Sequence, residues 1–505
     1  METHEEQRET RLPTFGEAVT PIIFMVIVLT IGMGMLKWPT GVCLLLSAAC
    51  AGGIAICRLN FTWEELEKFI VDKFAAVMPA CLIVIFVAFM VATWCYSGTL
   101  AMLVVYGMQL ISPAMILFLS FILTALLAIL SGSSWGSVAS IGVALMGVGI
   151  GLGVDPAMLA GALVSGAYFG DKMSPLSDTT NLAAGVTKTP LYEHIKYMFW
   201  TTIPSTIIAL GFFIYLGMTH HVDGEMSTDS VLLISQLNEM YSFGVLPLLP
   251  MLVILLCTFT KKPPVPSMLL SAVVAVLVGW LYQGFDLWEG VSSTMTGFKV
   301  EMIGFNSSEQ ATGVIKLLHR GCLNTQGGFL AFIICAMAFA GILTGTKMMD
   351  VAMGELTKKI TTARSAILGS GLIAVVINAL TGSDGLNKVI TSELMNKHFL
   401  KLGIHPKVLA RTLEDFGTMT GPAIPWTAAG LFMATTLGVP TMDYLPYCLL
   451  FFFSMIFATF YAITNISIVT ITHEEARAFA LKQGYELGEE EVKGQDPELE
   501  PATVK

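Results

Sequence analysis

The chain has 505 residues, 54% of them hydrophobic and 13% charged, with a mean hydropathy of +0.73. Soluble globular proteins carry about 25% charged residues, so this composition excludes a soluble domain and places most of the surface in lipid. Net charge is −10, yet residues 1–17 hold −3 of it and His473–Lys505 hold −5. The body is therefore nearly neutral, the tails are expected to be solvated and disordered, and no basic patch exists for nucleic acid.

From the N-terminus, apolar blocks fall at about 18–36, 39–57, 77–110, 113–130, 138–169 and 198–217. After a polar stretch, a second series runs at about 245–260, 267–283, 326–345, 365–381, 406–440 and 444–471. A crossing takes roughly 20 residues, so ten or more spans are expected. No small-residue cleavage site accompanies the first block, which reads as a retained span rather than a signal peptide. Residues 218–244 contain no Lys or Arg but hold Asp223, Glu225, Asp229 and Glu239, which puts them outside. Lys261 and Lys262, then Lys347, Lys358, Lys359 and Arg364, put the following turns in the cytoplasm. The loop at 284–325, with Lys299, Lys316 and Arg320, fits the outside less well. Both termini then lie inside.

The expected layout is a cytoplasmic tail (1–17), a first transmembrane repeat (18–217), an extracytoplasmic linker (218–244), a second repeat (245–471) and an acidic cytoplasmic tail (472–505). The halves enter from opposite sides with matching block order, the sequence sign of inverted-topology repeats. The expected fold is an all-α polytopic membrane protein made of two such repeats with discontinuous helices. Nine cysteines form no CxxC pair, and Cys43, Cys50 and Cys57 share one helix face as packing residues. His220 and His221 lie in the outer loop and are not read as a metal site.

Polar interruptions recur at matched places. The first reads Ser131-Gly-Ser133-Ser134-Trp-Gly136-Ser137, the second Thr381-Gly-Ser383-Asp384-Gly385-Leu-Asn387. Glycine lets the backbone leave a helix, and hydroxyls satisfy the freed groups. Exposed oxygens suit Na⁺, whereas the helix N-termini at such breaks suit an anion. A second pair follows: Asp171-Lys-Met-Ser174-Pro175-Leu-Ser177-Asp178-Thr179-Thr180-Asn181, and Arg411-Thr-Leu-Glu414-Asp415-Phe-Gly417-Thr418 running on to Pro425-Trp426. Gly132 to Pro175 and Gly382 to Pro425 are both intervals of 43 residues.

A carboxylate at membrane depth defaults to a functional hypothesis. Burial favours its protonated form and a bound cation its ionised form, so Na⁺ and H⁺ compete for it. Asp171, Asp178, Glu414 and Asp415 are the candidate Na⁺ ligands. Adjacent Glu414 and Asp415 point to different helix faces, so one of them is expected to face the site. Asp171 is also placed to pair with Lys172, and Arg411 to neutralise Glu414 or Asp415 through an (i, i+3) or (i, i+4) contact. The alternating glycines at 147–153, and Gly166 with Gly170, read as close helix packing. No P-loop, nucleotide fingerprint or Ser/His/Asp array appears, so neither an enzyme nor a primary pump is expected. No cofactor is expected beyond Na⁺ and H⁺ as transported ions. A channel needs a continuous pore, and two matched breaks fit alternating access better.

At Gly132–Ser137, at Gly170-Asp-Lys-Met-Ser-Pro-Leu-Ser-Asp-Thr-Thr-Asn181, and at Leu413-Glu-Asp-Phe-Gly-Thr418 with Pro425-Trp426, the chain resembles the NhaC family of Na⁺/H⁺ antiporters within the ion-transporter superfamily. The resemblance spans about residues 15–470. It implies a bacterial inner-membrane secondary transporter with inverted repeats and re-entrant hairpins. Members of the superfamily move a transport unit against a scaffold, often as homodimers. Many relatives carry Pro-Trp-Asn-x-Cys-Gly where this chain has Pro425-Trp-Thr427-Ala-Ala429-Gly430. That departure removes an amide and a thiol, and keeps a second reading open: a Na⁺-coupled carrier of a small organic acid or amino acid, with malate-for-lactate exchange as an example in related proteins. In either reading Ser131, Ser133, Ser134, Ser174, Thr179, Thr180, Asn181, Ser383, Asp384, Asn387 and Thr418 line the ion or substrate site with the four acids.

Overall fold

The computed structural model describes residues 10–36, 38–219, 228–260, 262–319, 323–358, 360–483 and 487. Among them the chain is helical, without strands; one isolated bridge pairs Ile404 with Thr470. Helix α1 (Phe15–Gly34) opens on a capping box in which Thr14 and Glu17 satisfy each other's backbone N–H. Helix α2 (Thr40–Leu59) ends where Asn60 turns left-handed. Helix α3 (Trp63–Tyr96) bends by 73° into α4 (Thr99–Leu110), so the long apolar block at 77–110 is a broken element. Next come α5 (Ile116–Ser131), the single turn α6 (Ser134–Ser137), a π turn at Val138–Gly142 and α7 (Val143–Gly151). Helix α8 (Pro156–Met173) stops before Pro175, α9 (Asp178–Val186) restarts the helix, and α10 (Leu191–Thr219) closes the series.

The stretch expected to be a plain linker carries α11 (Thr228–Met240), whose Gln236 accepts a hydrogen bond from the Ala311 N–H. His220, His221, Asp223 and Glu225 lie outside the described residues, as do Lys261, Arg320 and Lys359. The second series has α12 (Leu249–Phe259), α13 (Pro264–Leu281), the short α14 (Leu287–Thr296) and α15 (Thr312–Leu318), and α16 (Leu323–Gly345). Helix α16 turns by 69° into α17 (Met348–Thr357). Then follow α18 (Ala363–Thr381), α19 (Asp384–Lys401) and α20 (Pro406–Thr412), which passes into a π turn at Leu413–Gly417. Helices α21 (Ala428–Leu437), α22 (Thr441–Tyr444) and α23 (Leu449–Thr464) complete the body.

Among the described residues, seven helices are long and apolar enough to cross a membrane, and up to ten spans result if each bent pair counts as one. Their outward faces are apolar, as at Leu269, Leu270, Val273, Leu277 and Trp280 on α13. The expectation of a disordered acidic tail is corrected for its first part. Helix α24 (His473–Lys482) starts at a Thr472/Glu475 capping box, buries Ala476 and Ala480, and packs on α19. Residues 484–486 and 488–505 lie outside the described residues.

Local roles repeat along the chain. Gly132 and Gly382 are left-handed C-caps, Ser133 and Ser383 N-caps, Pro156 and Pro406 first-turn prolines, and Ser177 and Thr427 N-caps; each pair is 250 residues apart. Packing is exchanged in the same sense: α2 lies on α16 as α13 lies on α3. Helices α5 and α8 run side by side in one direction. Gly166 sits on the Phe121 carbonyl and Gly170 on the Ala125 carbonyl, and a Cβ on either would stand 2.2 Å from the oxygen. This is the close packing expected of a small-xxx-small pair. In the second half Gly371 lies under the Phe416 ring, and Asn378 donates to the Gly417 carbonyl at 2.9 Å.

Candidate ion site at the helix interruptions

Each half folds its two polar motifs onto one another. At the first tip Gly132 takes φ +69, the Ser131 hydroxyl accepts from the Ser133 N–H (3.3 Å), and Ser133 caps the Gly136 N–H (3.0 Å). A Cβ on Gly132 would meet the Leu176 carbonyl carbon at 2.5 Å, so this tip is seated on the break after α8. At the second tip Gly382 takes φ +66, Thr381 accepts from the Ser383 N–H (3.4 Å), and the Gly382 carbonyl accepts from the Ala428 N–H (3.0 Å). The shared interval of 43 residues thus has a physical reason: the parallel helix and its return bring tip and break to one level.

Around these tips lie buried charges. Asp171, Lys172, Lys388, Arg411, Glu414 and Asp415 are all buried. They divide into two groups. In the first, Asp415 Oδ1 is fully engaged: it accepts from Lys172 Nζ, from Ser454 (2.7 Å) and from Thr201 (2.9 Å), while Arg411 Nε stands 3.7 Å from Oδ2, with Oδ2, Nε and Nη2 making no hydrogen bond among the described residues. Lys172 also donates to Ser454 at 3.1 Å, and Arg411 donates to Ser467 at 2.9 Å while covering the Tyr197 ring. Lys172 therefore crosses to the other half instead of pairing with its neighbour Asp171. The (i, i+4) contact expected of Arg411 goes to Asp415.

The second group is under-coordinated. Asp171 Oδ2 accepts from Ser134 at 3.1 Å. Lys388 Nζ stands 3.8 Å from Glu414 Oε1, beyond hydrogen-bond distance. Both residues are electrostatic neighbours of Asp171 and of Asp384. Asp384 Oδ1, Asn387 Nδ2, Lys388 Nζ, both Glu414 carboxylate oxygens and Thr418 Oγ1 have no hydrogen-bond partner among the described residues. Buried polar atoms are nearly always paired, so such a concentration of unpaired ones marks a place for a ligand. The four acids and three bases of the two groups carry a formal balance of −1, which one monovalent cation neutralises.

Other residues of the sequence-predicted set stand elsewhere. Asp178 is exposed rather than buried, in the first turn of α9. It lines a cleft of about 360 Å³ together with Ser131, Ser133, Lys262 and Ser267. Asn181 is exposed too, and its amide holds the Pro175 and Ser177 carbonyls at 2.9 and 2.7 Å. Ser174 donates to the Ile129 carbonyl (2.7 Å), Thr179 meets Ser177 (3.0 Å), and Thr180 donates to the Lys172 carbonyl (3.2 Å). These four side chains brace the break. Ser383 caps the Leu386 N–H (3.5 Å), which shapes the second tip. Residues that sequence reasoning missed are Lys388, Asn378, Thr201 and Ser454. A signal for the first existed: Asp384, Asn387, Lys388 and Thr391 form a polar stripe at helical spacing on α19, a helix too polar to attract notice as a membrane element.

Interrupted helices in an apolar body, with opposed buried charges at the interruptions, define a polytopic membrane protein of the secondary active transporter class. The Na⁺/H⁺ antiporter family model matches residues 166–466. An uncharacterised Na⁺/H⁺ antiporter of Haemophilus influenzae is 37% identical, over 92% of this chain and 98% of its own. The Na⁺/H⁺ antiporter NhaC of Alkalihalophilus pseudofirmus is 31% identical, over 82% of this chain and 87% of its own. A malate-2H⁺/Na⁺-lactate antiporter of Bacillus subtilis is 29% identical, over 91% and 96%. The chain belongs to the Na⁺/H⁺ antiporter family, among the NhaC proteins.

Proposed function

We propose that this protein exchanges Na⁺ for H⁺ by competition at Asp171, Asp384 and Glu414, through alternating access. The observation that carries this reading is the set of buried, unpaired oxygens on Asp384, Glu414 and Thr418 beside Asp171. Carboxylate and hydroxyl oxygens are the donors a hard cation takes, and the same carboxylates take a proton when it leaves. Ser134 and Thr418 supply neutral oxygens, while Asp415 stays with Lys172 and Arg411 as a fixed brace. No bond-breaking chemistry is proposed. Asp171→Asn is expected to abolish Na⁺-dependent proton movement in everted vesicles while inserting and purifying as the wild type does. Normal exchange by that variant removes Asp171 from the mechanism.

The halves are proposed to be inverted-topology repeats, supported by the 250-residue interval of matching caps and by the exchanged packing of α2 and α13. A bacterial inner-membrane location with both termini cytoplasmic is proposed from the loop charges. A homodimer is proposed on the family resemblance alone.

One observation favours a second reading. The cleft beside the first tip holds Asp178 and Lys262 on its walls and has room for a small organic ion. A Na⁺-coupled exchanger of an organic acid or amino acid would use it, in keeping with the name of the Bacillus subtilis relative. Thermal shifts with and without Na⁺ across a panel of such solutes separate the two. Ligands stabilise in proportion to occupancy, so stabilisation by Na⁺ alone, with no solute effect, supports plain ion exchange.

A further inference from the structure

We infer that Lys388 is a tethered counter-ion: its ammonium and the transported Na⁺ take turns beside Glu414, Asp171 and Asp384. The inference rests on the Na⁺/H⁺ reading above. Among the cations buried at the interruptions, Lys172 is fixed by hydrogen bonds to Asp415 and Ser454, and Arg411 is anchored by its Nη1 on Ser467 with its Nε 3.7 Å from Asp415 Oδ2. Lys388 is different. Its side chain is fully buried, its Nζ has no hydrogen-bond partner among the described residues, and Glu414 Oε1 stands 3.8 Å away with both Glu414 carboxylate oxygens equally unpaired. An ammonium packed as a permanent brace closes to hydrogen-bond distance, as Lys172 does on Asp415. One that stops short holds the carboxylates by charge alone and can yield them to a smaller cation.

Two monocations within a few ångströms of one carboxylate group repel strongly in a medium of low dielectric. Na⁺ entry therefore requires the ammonium to withdraw, and its flexible four-carbon stem permits that. When Na⁺ leaves, the return of Lys388 and the proton taken up by the acids together offset their charge, so the Na⁺-free protein does not carry bare carboxylates through lipid. The residue 250 positions earlier is Val138, an apolar side chain. One tethered cation thus serves both halves, which fits a single exchangeable Na⁺.

The test uses the purified full chain, with ²²Na⁺ binding in detergent and Na⁺-dependent proton flux in proteoliposomes. Lys388→Met is expected to bind Na⁺ at least about tenfold more tightly and to lose exchange. Lys388→Arg, which keeps a fixed charge, is expected to bind Na⁺ no more tightly than the wild type. Wild-type or weaker Na⁺ affinity in a monodisperse Lys388→Met protein overturns the inference and leaves the ion-exchange reading standing. If the Met variant does not fold, Lys388→Arg decides: tighter Na⁺ binding there overturns the inference, and equal or weaker binding supports it. A wild-type protein that binds no Na⁺ refutes the underlying reading itself, a different result visible before any variant is made.

Discussion

Glu414 and Asp415 are neighbours in sequence with opposite surroundings. A π turn at Leu413–Gly417 widens the helix there and sends one carboxylate toward Lys388 on α19 and the other toward Lys172, Thr201 and Ser454. Removing one partner of a buried ion pair leaves the other charge uncompensated, at about 3–5 kcal/mol. Asp415→Asn is therefore expected to lower the melting temperature in detergent sharply, because Lys172 and Arg411 lose their common anion. Asp171→Asn weakens hydroxyl hydrogen bonds such as that from Ser134, worth about 0.5–1.5 kcal/mol each, and is expected to melt close to the wild type. Equal melting of the two variants would contradict the division into a hydrogen-bonded brace at Asp415 Oδ1 and an under-coordinated site. The acids of both motifs were legible in the sequence, since carboxylates in apolar flanks stand out. Their division was not, because it depends on which cation reaches across from another element: Lys172 sits beside Asp171 in sequence and bonds Asp415 instead.

At the scale of the elements, the tips depend on a left-handed backbone that favours glycine. Gly132 and Gly438 have similar conformations, φ +69 and φ +73, but different surroundings. Nothing lies within 4 Å of a Cβ built on Gly438, whereas one on Gly132 meets the Leu176 carbonyl carbon at 2.5 Å. The left-handed conformation alone costs an ordinary residue about 1–2 kcal/mol. Gly438→Ala is expected to show that cost alone. Gly132→Ala adds an overpacking term of about 1–3 kcal/mol and displaces Leu176 with the rest of the break, so both melting temperature and exchange should fall. Comparable melting of the two alanine variants would show that the first tip is not seated on the break. Both interruptions could be read in advance from Gly-Ser pairs after apolar runs. The polar helix α19 could not, because its lipid-averse composition hides a buried face made of Asn387, Lys388, Thr391 and Ser392. Helix α24 was missed for a related reason: net acidity of the tail masked two buried alanines and a capping box.

At the scale of the whole molecule, the cleft between the first tip and the α12–α13 turn is the proposed route by which an ion reaches the interruptions from one side. Its walls belong to different parts of the chain: Ser131, Ser133 and Asp178 on one, Lys262, Pro264 and Ser267 on the other. Span count and order were legible from hydropathy, but this juxtaposition was not, since residues 131 and 267 meet only through the packing of the two halves. In the orientation proposed from the loop charges the turn at Lys262 is cytoplasmic, and the cleft then opens inward. A cysteine at 178, in a chain whose nine native cysteines are replaced, tests this directly. Asp178 is exposed while Asp171 is 3% exposed. Asp178→Cys is therefore expected to react with a membrane-impermeant maleimide in inside-out vesicles and to resist it in intact cells. Asp171→Cys should resist it in both preparations. Labelling of residue 178 from outside the cell would reverse the orientation of every span and place both termini on the external face. Labelling of residue 171 as fast as residue 178 would show that water reaches the buried acids freely, and the two-group arrangement of charges would then lose its basis in a dry interior.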